Sequence, residues 1–471
     1  MGNLPQTVSA LSLNSQEIPP AALFFAIRGV KDDGHKYVQT ALQNGAAAVV
    51  VEESVAPDSI PQIIVPDTKI ALSKAAANFY ENPTDRMRVI GVTGTNGKTT
   101  TVFLLNEFFK AAGLRRGTIG TLGYSIGDQR YASNLTTPDS IRLHQIFRMM
   151  ADDGVTVAAM EVSSHSLALH RVDDVSFHAG IFTNISQDHL DFHETIDVYA
   201  IAKTKLFSIT NVDGFVVNNL DDDYAGLFGQ AARARQVTYA LQHKADFSWA
   251  PGVTFSNGIS GEIIAPTGNI PVRCRLSGEF NLKNILAATA VAINLEIDSK
   301  VITSALSKIH SVPGRLQEIF HAGAPRVFID YAHTPDAIIN VLQTLRTMLP
   351  KNGRLIVIFG CGGNRDRNKR PKMAHAVETY ADLAVVTTDN PRFEEPEDII
   401  ADAVKGFSGN YQFKAITDRK EAIMTTLKTG HEGDIIAILG KGHETYQEIR
   451  GVRYPFYDRE IVENYFGGQN A

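Results

Sequence analysis

A glycine-rich segment between an apolar strand and a helix constrains this chain more than any other feature. Residues 94–100 read Gly-Thr-Asn-Gly-Lys-Thr-Thr and follow the apolar stretch at residues 89–92. Apolar residues then recur at helical spacing from Val102 to Ala112, and Gly113 marks the end of that helix. At such a turn, backbone N–H groups and the helix N-terminus bind phosphate groups. The segment therefore predicts an α/β nucleotide-binding domain.

Within this loop, the side chains suggest how a nucleotide would be held. Lys98 is expected to face the terminal phosphates, and the Thr99 hydroxyl is expected to bind Mg²⁺. The usual phosphate loop has a glycine five residues before Gly97, and that position here holds Val92. The loop is therefore a shorter variant of the usual pattern, and ATP with Mg²⁺ is the predicted cofactor pair.

The chain has 471 residues, more than one hydrophobic core usually organises, and this length predicts roughly three domains. A small α/β domain is expected at residues 1–87. Its predicted elements are strands at residues 21–27 and 46–51 around a helix at residues 36–44, closed by an Asn-Pro turn at residues 82–83.

A central ATP-binding domain is expected at residues 88–312, and a third domain at residues 313–471. In the third domain, apolar segments alternate with helical stretches, which predicts a doubly wound parallel sheet. These segments are residues 327–329, 355–359, 383–386 and 435–439. The predicted fold class is α/β, with a small N-terminal α/β domain, a central P-loop ATPase-like domain and a C-terminal Rossmann-like domain.

Composition excludes several classes of protein. Charged residues make up 20% of the chain and apolar residues 44%, which is typical of a globular protein and not of a disordered one. The formal net charge of −6 disfavours a nucleic-acid partner. Only Cys274 and Cys361 are present, which supports neither a disulfide framework nor a zinc site and favours the cytoplasm. Neither a secretory signal nor an apolar run of about 20 residues is found, so no membrane span is expected.

Polar side chains follow two predicted strands of the central domain. Glu161 ends the apolar stretch that begins at Val155, and residues 183–193 follow the short strand at residues 180–182. This second segment contains His189 among several carboxylates and histidines. Because α/β sheets bind ligands at the carboxyl ends of their strands, the two segments predict a metal or phosphoryl-transfer site.

The order of these and later motifs resembles the Mur ligase family over nearly the whole chain from about residue 13. The motifs are residues 91–100, 161–165, 183–193, 199–207, 219–222, 278–284, 313–315 and 330–336. The phosphate loop also resembles that of folylpolyglutamate synthetases. Both families make amide bonds. The resemblance implies an ATP-dependent ligase that adds meso-diaminopimelate to UDP-N-acetylmuramoyl-L-Ala-D-Glu through an acyl phosphate, in peptidoglycan precursor synthesis.

The resemblance also implies site residues. A lysine at the position of Lys203, in the pattern Tyr-x-x-Ala-Lys, is carbamylated by CO₂ in the family and becomes an oxygen ligand for Mg²⁺. The implied metal ligands are Thr99, Glu161, His189 and Lys203. The implied catalytic residues are Lys98, Lys203, His189, Arg315 and His333. The implied nucleotide contacts are Gly94, Thr95, Asn96, Gly97, Lys98, Thr99, Thr100, Asn281, Asn284, Arg315 and Asp330.

For the nucleotide-sugar substrate, the resemblance assigns the UDP moiety to Ser15. It assigns the peptide and muramoyl parts to Thr136, Thr137, Ser163 and Arg171. The first domain departs from the family pattern, since the residues around Ser15 read Asn-Ser-Gln where Asp-Ser-Arg is common. A frequent glutamine contact is replaced by Leu169.

The incoming amine is predicted from the segment Asp389, Asn390, Pro391 and Arg392, which resembles that of diaminopimelate-adding Mur ligases. A planar guanidinium at Arg392 can bind the distal carboxylate of meso-diaminopimelate through two hydrogen bonds. A second guanidinium is predicted from Arg365, Glu444 is predicted to receive the distal ammonium, and Gly440 is predicted to line the same site.

Other functions stay open at this point. A lysine-adding Mur ligase is the nearest alternative and is expected to differ at the position of Arg392. A folylpolyglutamate synthetase is expected to lack the UDP-binding first domain. A P-loop GTPase would need an Asn-Lys-x-Asp motif, which this sequence does not contain. A nucleotide-binding protein without catalysis would leave the acidic and histidine clusters without a role. We expect a monomer.

Overall fold

The computed structural model describes residues 4–29, 32–55, 61–133, 135–255 and 258–468. Its first domain contains a four-stranded parallel sheet in the order β1-β2-β3-β4. The elements are β1 (Ala10–Ser12), β2 (Ala22–Phe25), α1 (Val38–Gln43), β3 (Ala46–Val51), β4 (Gln62–Ile64) and α2 (Thr68–Phe79). The predicted helix at 36–44 is shorter than expected, because its first turn, Gly34–Tyr37, is a 3₁₀ helix.

The central domain is built on an eight-stranded sheet in the order β12-β11-β10-β5-β9-β6-β7-β8. The strands from β12 to β6 are parallel, whereas β7 and β8 continue the sheet as antiparallel hairpins. The first elements are β5 (Arg88–Thr93), α3 (Lys98–Ala111), β6 (Arg116–Gly120), β7 (Gly123–Ile126), β8 (Gln129–Tyr131), α4 (Ser140–Asp152), β9 (Val157–Glu161), α5 (Ser164–Ala168), β10 (Phe177–Phe182), α6 (Leu190–His193), α7 (Ile196–Ile209) and β11 (Thr210–Asn219).

A second, antiparallel sheet of three strands completes the central domain and was not predicted from the sequence. The remaining elements are α8 (Ala225–Ala231), β12 (Arg235–Tyr239), β13 (Ser248–Trp249), β14 (Ile259–Ile264), β15 (Ile270–Cys274), α9 (Glu279–Asn294) and α10 (Ser299–Lys308). In β15 buried and exposed residues alternate, as expected for a strand with one solvated face. The same alternation of apolar and other residues is present in the sequence and could have predicted this strand.

The last domain contains a six-stranded sheet in the order β16-β17-β21-β18-β19-β20, parallel except at β16. Its elements are β16 (Gln317–Ile319), β17 (Arg326–Asp330), α11 (Pro335–Met348), β18 (Leu355–Phe359), α12 (Lys369–Tyr380), β19 (Leu383–Val386), α13 (Pro396–Val404), β20 (Phe413–Ala415), α14 (Arg419–Thr429), β21 (Ile435–Leu439), β22 (Tyr446–Ile449), β23 (Val452–Pro455) and α15 (Asp458–Gly467). Apolar clusters lie on both faces of this sheet, so the predicted doubly wound α/β fold is confirmed.

The buried strands explain why this part of the sequence was readable. Every residue from Leu355 to Phe359 is at most 1% exposed, as a strand covered by helices on both faces requires. Burying one such apolar side chain stabilises the fold by about 1.5–3 kcal/mol. A continuous apolar run bounded by polar turns therefore specifies both the strand and its central place in the sheet.

The first and central domains pack through α2 and α4. His144 on α4 is fully buried, and neither of its ring nitrogens has a hydrogen-bond partner within the described chain. Burial lowers the pKa of His144 from 6.5 to about 4, so the ring is neutral in the folded protein. In the described part of the chain, no helix is long and apolar enough to cross a membrane.

Candidate active site

The loop after β5 has a backbone conformation that only glycine adopts easily at two positions. Gly94 has a φ of +144° and Gly97 a φ of +86°. A β-carbon at Gly94 would collide with the hydroxyl of Thr183, and one at Gly97 would collide with the side-chain oxygen of Asn284. The two glycines are therefore required because neighbouring segments pack directly against the loop.

The segment that follows β10 holds this loop in place. The Thr95 N–H donates to the Asn184 carbonyl at 2.7 Å, and the Asn96 N–H donates to the Asn184 side-chain oxygen at 2.9 Å. The Thr183 hydroxyl donates to the Asn96 carbonyl at 2.6 Å. Because β5 and β10 are adjacent in the sheet, the segments that follow them lie side by side, and these bonds hold the loop in its conformation.

Two lysines share one backbone carbonyl beneath the loop. Lys98 Nζ donates to the Gly94 and Thr95 carbonyls at 2.9 and 2.8 Å, and Lys203 Nζ donates to the same Gly94 carbonyl at 2.8 Å. Lys203 is 1% exposed and forms no ion pair with any described carboxylate. Burial, together with the charge of Lys98, lowers the pKa of Lys203 well below its usual value. Burial also lowers the pKa of Lys98.

Two connected cavities open above the loop between the central and last domains. The first, which we call the nucleotide cavity, has on its walls Asn96, Gly97, Thr99, Thr100, Asn184, Asn284, Arg315, Asp330 and His333, among others. The second, which we call the reaction cavity, has on its walls Thr95, Lys98, Thr99, Thr136, Glu161, Ser163, Asp188, His189, Lys203, Arg315, His333, Arg365, Lys369, Asp389, Asn390, Arg392, Gly440 and Glu444, among others. The residues that border both cavities are Asn96, Gly97, Thr99, Arg315, Tyr331 and His333.

The candidate metal ligands lie near the carboxyl end of β9. The Glu161 carboxylate is 1% exposed and accepts hydrogen bonds from the Thr121 N–H at 2.8 Å and the Thr121 hydroxyl at 3.1 Å. It shares the reaction cavity with Thr99, His189 and Lys203. Among the described residues, no three His, Cys, Asp or Glu side chains are arranged to hold a metal ion. Thr99, Glu161 and His189 would therefore need a further anionic oxygen to complete a Mg²⁺ site.

A cluster of histidines lies beside this group. The His165 ring centroid is 4.8 Å from that of His189 and 5.6 Å from that of His193. His189 Nε2 lies 3.3 Å from an oxygen of Asp188, which sequence reasoning did not select although it precedes His189 in the same motif. Burial lowers the pKa of His189, so its ring is neutral at neutral pH and can act as a ligand.

Arg315 reaches from the last domain to the nucleotide loop. Its Nη2 donates to the Thr99 hydroxyl at 2.9 Å, and its guanidinium lies 4.7 Å from the ring centre of Tyr331. Its Nε atom is buried and has no partner within the described chain. Since Arg315 and Lys98 both border the reaction cavity, two cationic side chains from different domains flank one space.

Asp330, at the end of β17, borders the nucleotide cavity with both oxygens engaged. One oxygen accepts the Leu316 N–H at 2.6 Å and the other accepts the Ala332 N–H at 2.7 Å. Asn284 borders the same cavity and donates to the Asn281 side-chain oxygen at 3.0 Å. Asn281 is buried and orients Asn284 from behind.

His333 is held in one tautomer. Its Nδ1 lies 2.8 Å from the Tyr331 carbonyl, which can only accept, so Nδ1 carries the proton and Nε2 is left as an acceptor. Burial lowers the pKa of His333 to about 4. The ring is therefore neutral at neutral pH, with a free lone pair in the site.

The far wall of the reaction cavity is formed by loops after three adjacent strands, β21, β18 and β19. Asn390 donates to Glu444 Oε2 at 2.9 Å, which joins two of the loops. Arg392 has a φ of +54° and donates through Nη1 to the Gly363 carbonyl at 2.7 Å. Pro391 packs its backbone against Gly363. The residues predicted to select the amine are thus brought together by the sheet.

One residue at this wall was missed by sequence reasoning. Lys441 is fully buried, and its Nζ lies 2.9 Å from Glu444 Oε2 and 3.2 Å from the Asn390 side-chain oxygen. It stands between the predicted residues Gly440 and Glu444, and that position was the only available signal.

The predicted contacts for the nucleotide sugar are dispersed. Thr136 and Ser163 border the reaction cavity. Thr137 is buried and accepts the Ser163 N–H at 3.1 Å, and Arg171 donates to the Thr137 carbonyl at 3.3 Å. Ser15 lies in the first domain, where its carbonyl accepts a bond from Asn44, and it borders neither cavity.

The fold and the site define a class of protein. The family model "Mur ligase family, catalytic domain" matches residues 7–84, "Mur ligase middle domain" matches residues 92–292, and "Mur ligase, glutamate ligase domain" matches residues 314–442. The chain belongs to the Mur ligase family of ATP-dependent ligases.

Similar proteins of known name narrow this class. A UDP-N-acetylmuramoyl-L-alanyl-D-glutamate–2,6-diaminopimelate ligase of Aquifex aeolicus is 43% identical, over 98% of this chain and 95% of its own length. The enzyme of the same name from Chlorobium phaeobacteroides is 42% identical, over 98% of this chain and 93% of its own length. A solved structure of a ligase with this name is 33% identical with a TM-score of 0.70, covering 99% of this chain and 96% of that chain.

Proposed function

We propose that this chain joins meso-2,6-diaminopimelate to UDP-N-acetylmuramoyl-L-alanyl-D-glutamate at the expense of ATP, in the synthesis of peptidoglycan precursors. The observation that carries the proposal is the meeting in one cavity of the nucleotide loop with the segment Asp389 to Arg392. The names of relatives more than 40% identical over nearly the whole chain agree with it.

In this reaction the terminal phosphoryl group of ATP passes to the free carboxylate of the nucleotide-sugar peptide and forms an acyl phosphate. The amine of diaminopimelate then attacks the carbonyl carbon, an amide forms and inorganic phosphate leaves. Such steps need positioning and neutralisation of charge more than a protein nucleophile. Lys98 and Arg315 supply positive charge from the two sides of the cavity.

We propose Thr99, Glu161, His189 and Lys203 as the residues that hold Mg²⁺. The fit rests on chemistry, since a buried carboxylate and a hydroxyl are the hard oxygen ligands that this ion prefers. When bound, Mg²⁺ would neutralise the phosphate oxygens of ATP. Glu161 is kept in position by its two bonds from Thr121.

The unusual member of this set is Lys203, and we propose that it reacts with CO₂. A neutral amine attacks the carbon of CO₂ and loses a proton, and the product is an anionic carbamate. Burial favours the neutral amine at Lys203, because it lowers the pKa and, among the described residues, no carboxylate pairs with the ammonium. The carbamate would supply the anionic oxygen that Thr99, Glu161 and His189 lack.

His333 is the group that we propose handles the incoming amine. Because Nδ1 donates to the Tyr331 carbonyl, the free Nε2 accepts a hydrogen bond rather than donating one. This geometry favours contact with the N–H of the attacking amine over contact with the developing oxyanion.

We propose that Arg392 and Arg365 bind the distal carboxylate of diaminopimelate and that Asp389 and Glu444 lie close to its distal ammonium. The matched first domain, at residues 7–84, argues against a folylpolyglutamate synthetase. We also propose a cytoplasmic location, because Cys274 and Cys361 are both free thiols.

The test is an assay of the purified chain with ATP, Mg²⁺ and UDP-N-acetylmuramoyl-L-alanyl-D-glutamate. Phosphate release and product mass are measured with meso-diaminopimelate, with L-lysine and without an amine. We expect the diaminopimelate amide as the main product. Equal or greater incorporation of L-lysine, or phosphate release without any amide, would overturn the proposal.

A further inference from the structure

Lys441 occupies a position behind the wall of the reaction cavity. Its side chain is fully buried, whereas Glu444, to which it is bonded at 2.9 Å, is 14% exposed and borders the cavity. The Lys441 ammonium also donates to the side-chain oxygen of Asn390 and lies 5.5 Å from the ring centre of Tyr446. Its ammonium therefore acts on a ligand only through Glu444 and Asn390.

The charges at this end of the cavity balance one another. Asp389, Glu444 and Glu448 supply three carboxylates, and Arg365, Arg392 and Lys441 supply three cations, with Glu448 3.5 Å from Arg392. Asp389 is 7% exposed, and within the described part of the chain no donor hydrogen-bonds to its carboxylate. Glu444, by contrast, has a cation bonded directly to it. The Asp389 carboxylate is thus available to a ligand, whereas those of Glu444 and Glu448 are already paired with cations.

This balance distinguishes the two candidate amines. The far end of diaminopimelate carries one ammonium and one carboxylate and has no net charge. The far end of L-lysine carries an ammonium alone. A site with as many cations as carboxylates matches the first ligand, whereas a site with one cation fewer would match the second, because charge complementarity sets the preference between them.

We propose that Lys441 is a specificity-determining residue that tunes this site to an amino acid whose far end carries both charges, and against one that ends in an ammonium. It does so from behind, by cancelling the charge of Glu444. The proposal rests on the proposed function, since it concerns the choice of amine for the same ligation. Arg392 attracts the distal carboxylate, while Lys441 removes the excess attraction for a lone ammonium.

Lys441→Met tests this by removing the charge with little change in side-chain length. We expect the ratio of kcat/KM for meso-diaminopimelate to that for L-lysine to fall roughly tenfold or more, because Glu444 becomes an unpaired anion. The change should lie in KM for the amines, with KM for ATP unaltered. If Lys441 had a purely structural role, its loss would lower kcat/KM for both amines by the same factor.

Glu444→Gln provides the opposite charge change and does not depend on Lys441→Met folding. It leaves the site with one excess cation, so the preference for diaminopimelate over L-lysine should rise, while kcat/KM for both amines falls. The double variant Lys441→Met with Glu444→Gln restores the balance, and its ratio should lie between those of the single variants.

The matched control is Arg354→Met, which removes a cation bonded to the buried carboxylate of Asp434 at the opposite end of β18 and β21. Its ratio should equal that of the wild type. An unchanged ratio in Lys441→Met, or ratios that move in the same direction in Lys441→Met and Glu444→Gln, would overturn the role of Lys441. A wild type that fails to ligate diaminopimelate would instead overturn the proposed function.

Discussion

Arg315 Nη2 donates a hydrogen bond to the hydroxyl of Thr99 at 2.9 Å, and this bond joins the last domain to the nucleotide loop of the central domain. The two residues are 216 positions apart in the sequence. Thr99 is the proposed Mg²⁺ ligand of the loop. A movement of the last domain would therefore carry the Arg315 guanidinium away from the phosphate site. Domain arrangement and phosphoryl transfer are therefore coupled through one side chain.

Arg315→Ala is expected to lower kcat by about 10²–10³-fold, the effect of losing a group that stabilises developing charge. Thermal melting should change little, since among the described residues the guanidinium donates one hydrogen bond, to Thr99, besides its contact with the Tyr331 ring. The rate of phosphate release with saturating substrates measures kcat, and thermal melting curves measure the stability. A kcat within a few-fold of the wild type would contradict the role of Arg315.

Lys98→Ala is expected to abolish ligation and leave the fold intact. Among the described residues, the side chain donates to the Gly94 and Thr95 carbonyls, so its loss removes a phosphate contact rather than apolar core packing. Neither product formation nor ATP binding, measured by calorimetry, should be detected. The circular dichroism spectrum should match that of the wild type. Substantial turnover would exclude the nucleotide-loop assignment.

Lys203→Ala is expected to remove nearly all activity, and added bicarbonate should not restore it, because the amine that forms the carbamate is gone. A short carboxylic acid should restore part of the rate by supplying an oxygen ligand. The control is Lys205→Ala on the same helix, where the ammonium pairs with Asp173 at 2.7 Å and lies outside the reaction cavity. Intact-protein mass should show one added CO₂ in the wild type and in Lys205→Ala, and none in Lys203→Ala. Equal activity in the two variants would refute the role.

Arg392→Ala is expected to reduce the preference for meso-diaminopimelate over L-lysine by about 10²-fold or more. With L-lysine bound, the wild-type guanidinium keeps its ion pair with Glu448, at 3.5 Å, but lacks the ligand carboxylate to which it would donate hydrogen bonds. Competition between the two amines, read by product mass, measures the preference. If the variant keeps the full preference, another group reads the distal carboxylate.

His144→Leu is expected to reduce the loss of stability in acid. The pKa of His144 is lowered from 6.5 to about 4 in the fold, so the unfolded chain binds more protons between these values. The stabilising contribution is fully present above pH 6.5 and is lost as the pH falls toward 4, up to about 3 kcal/mol. Urea midpoints at pH 7.5 and pH 5 measure it. Parallel pH dependence in wild type and variant would show that His144 is not the titrating group.

The sequence by itself determined the features that depend on near neighbours. The bounds of β18, β19 and β21 agree with the predicted segments, because a run of apolar residues between polar turns is a local property. The nucleotide loop was readable for the same reason, since Gly94, Gly97 and Lys98 stand within a few residues of one another. The short hairpin strands β7 and β8 were not readable, because pairing with a neighbour stabilises them more than their own pattern does.

Only the tertiary structure decided how charge is distributed in the site. Lys98 and Lys203 share the Gly94 carbonyl although Lys203 is 109 positions away from Gly94. Lys441 neutralises Glu444 in a loop where the sequence showed only a lysine and a glutamate three residues apart. The sequence shows which residues can carry a charge. Their burial and their partners depend on distant segments that the sheets bring together. Because desolvation and pairing decide whether a lysine is a cation, a nucleophile or a counter-ion, those roles become visible only in the folded chain.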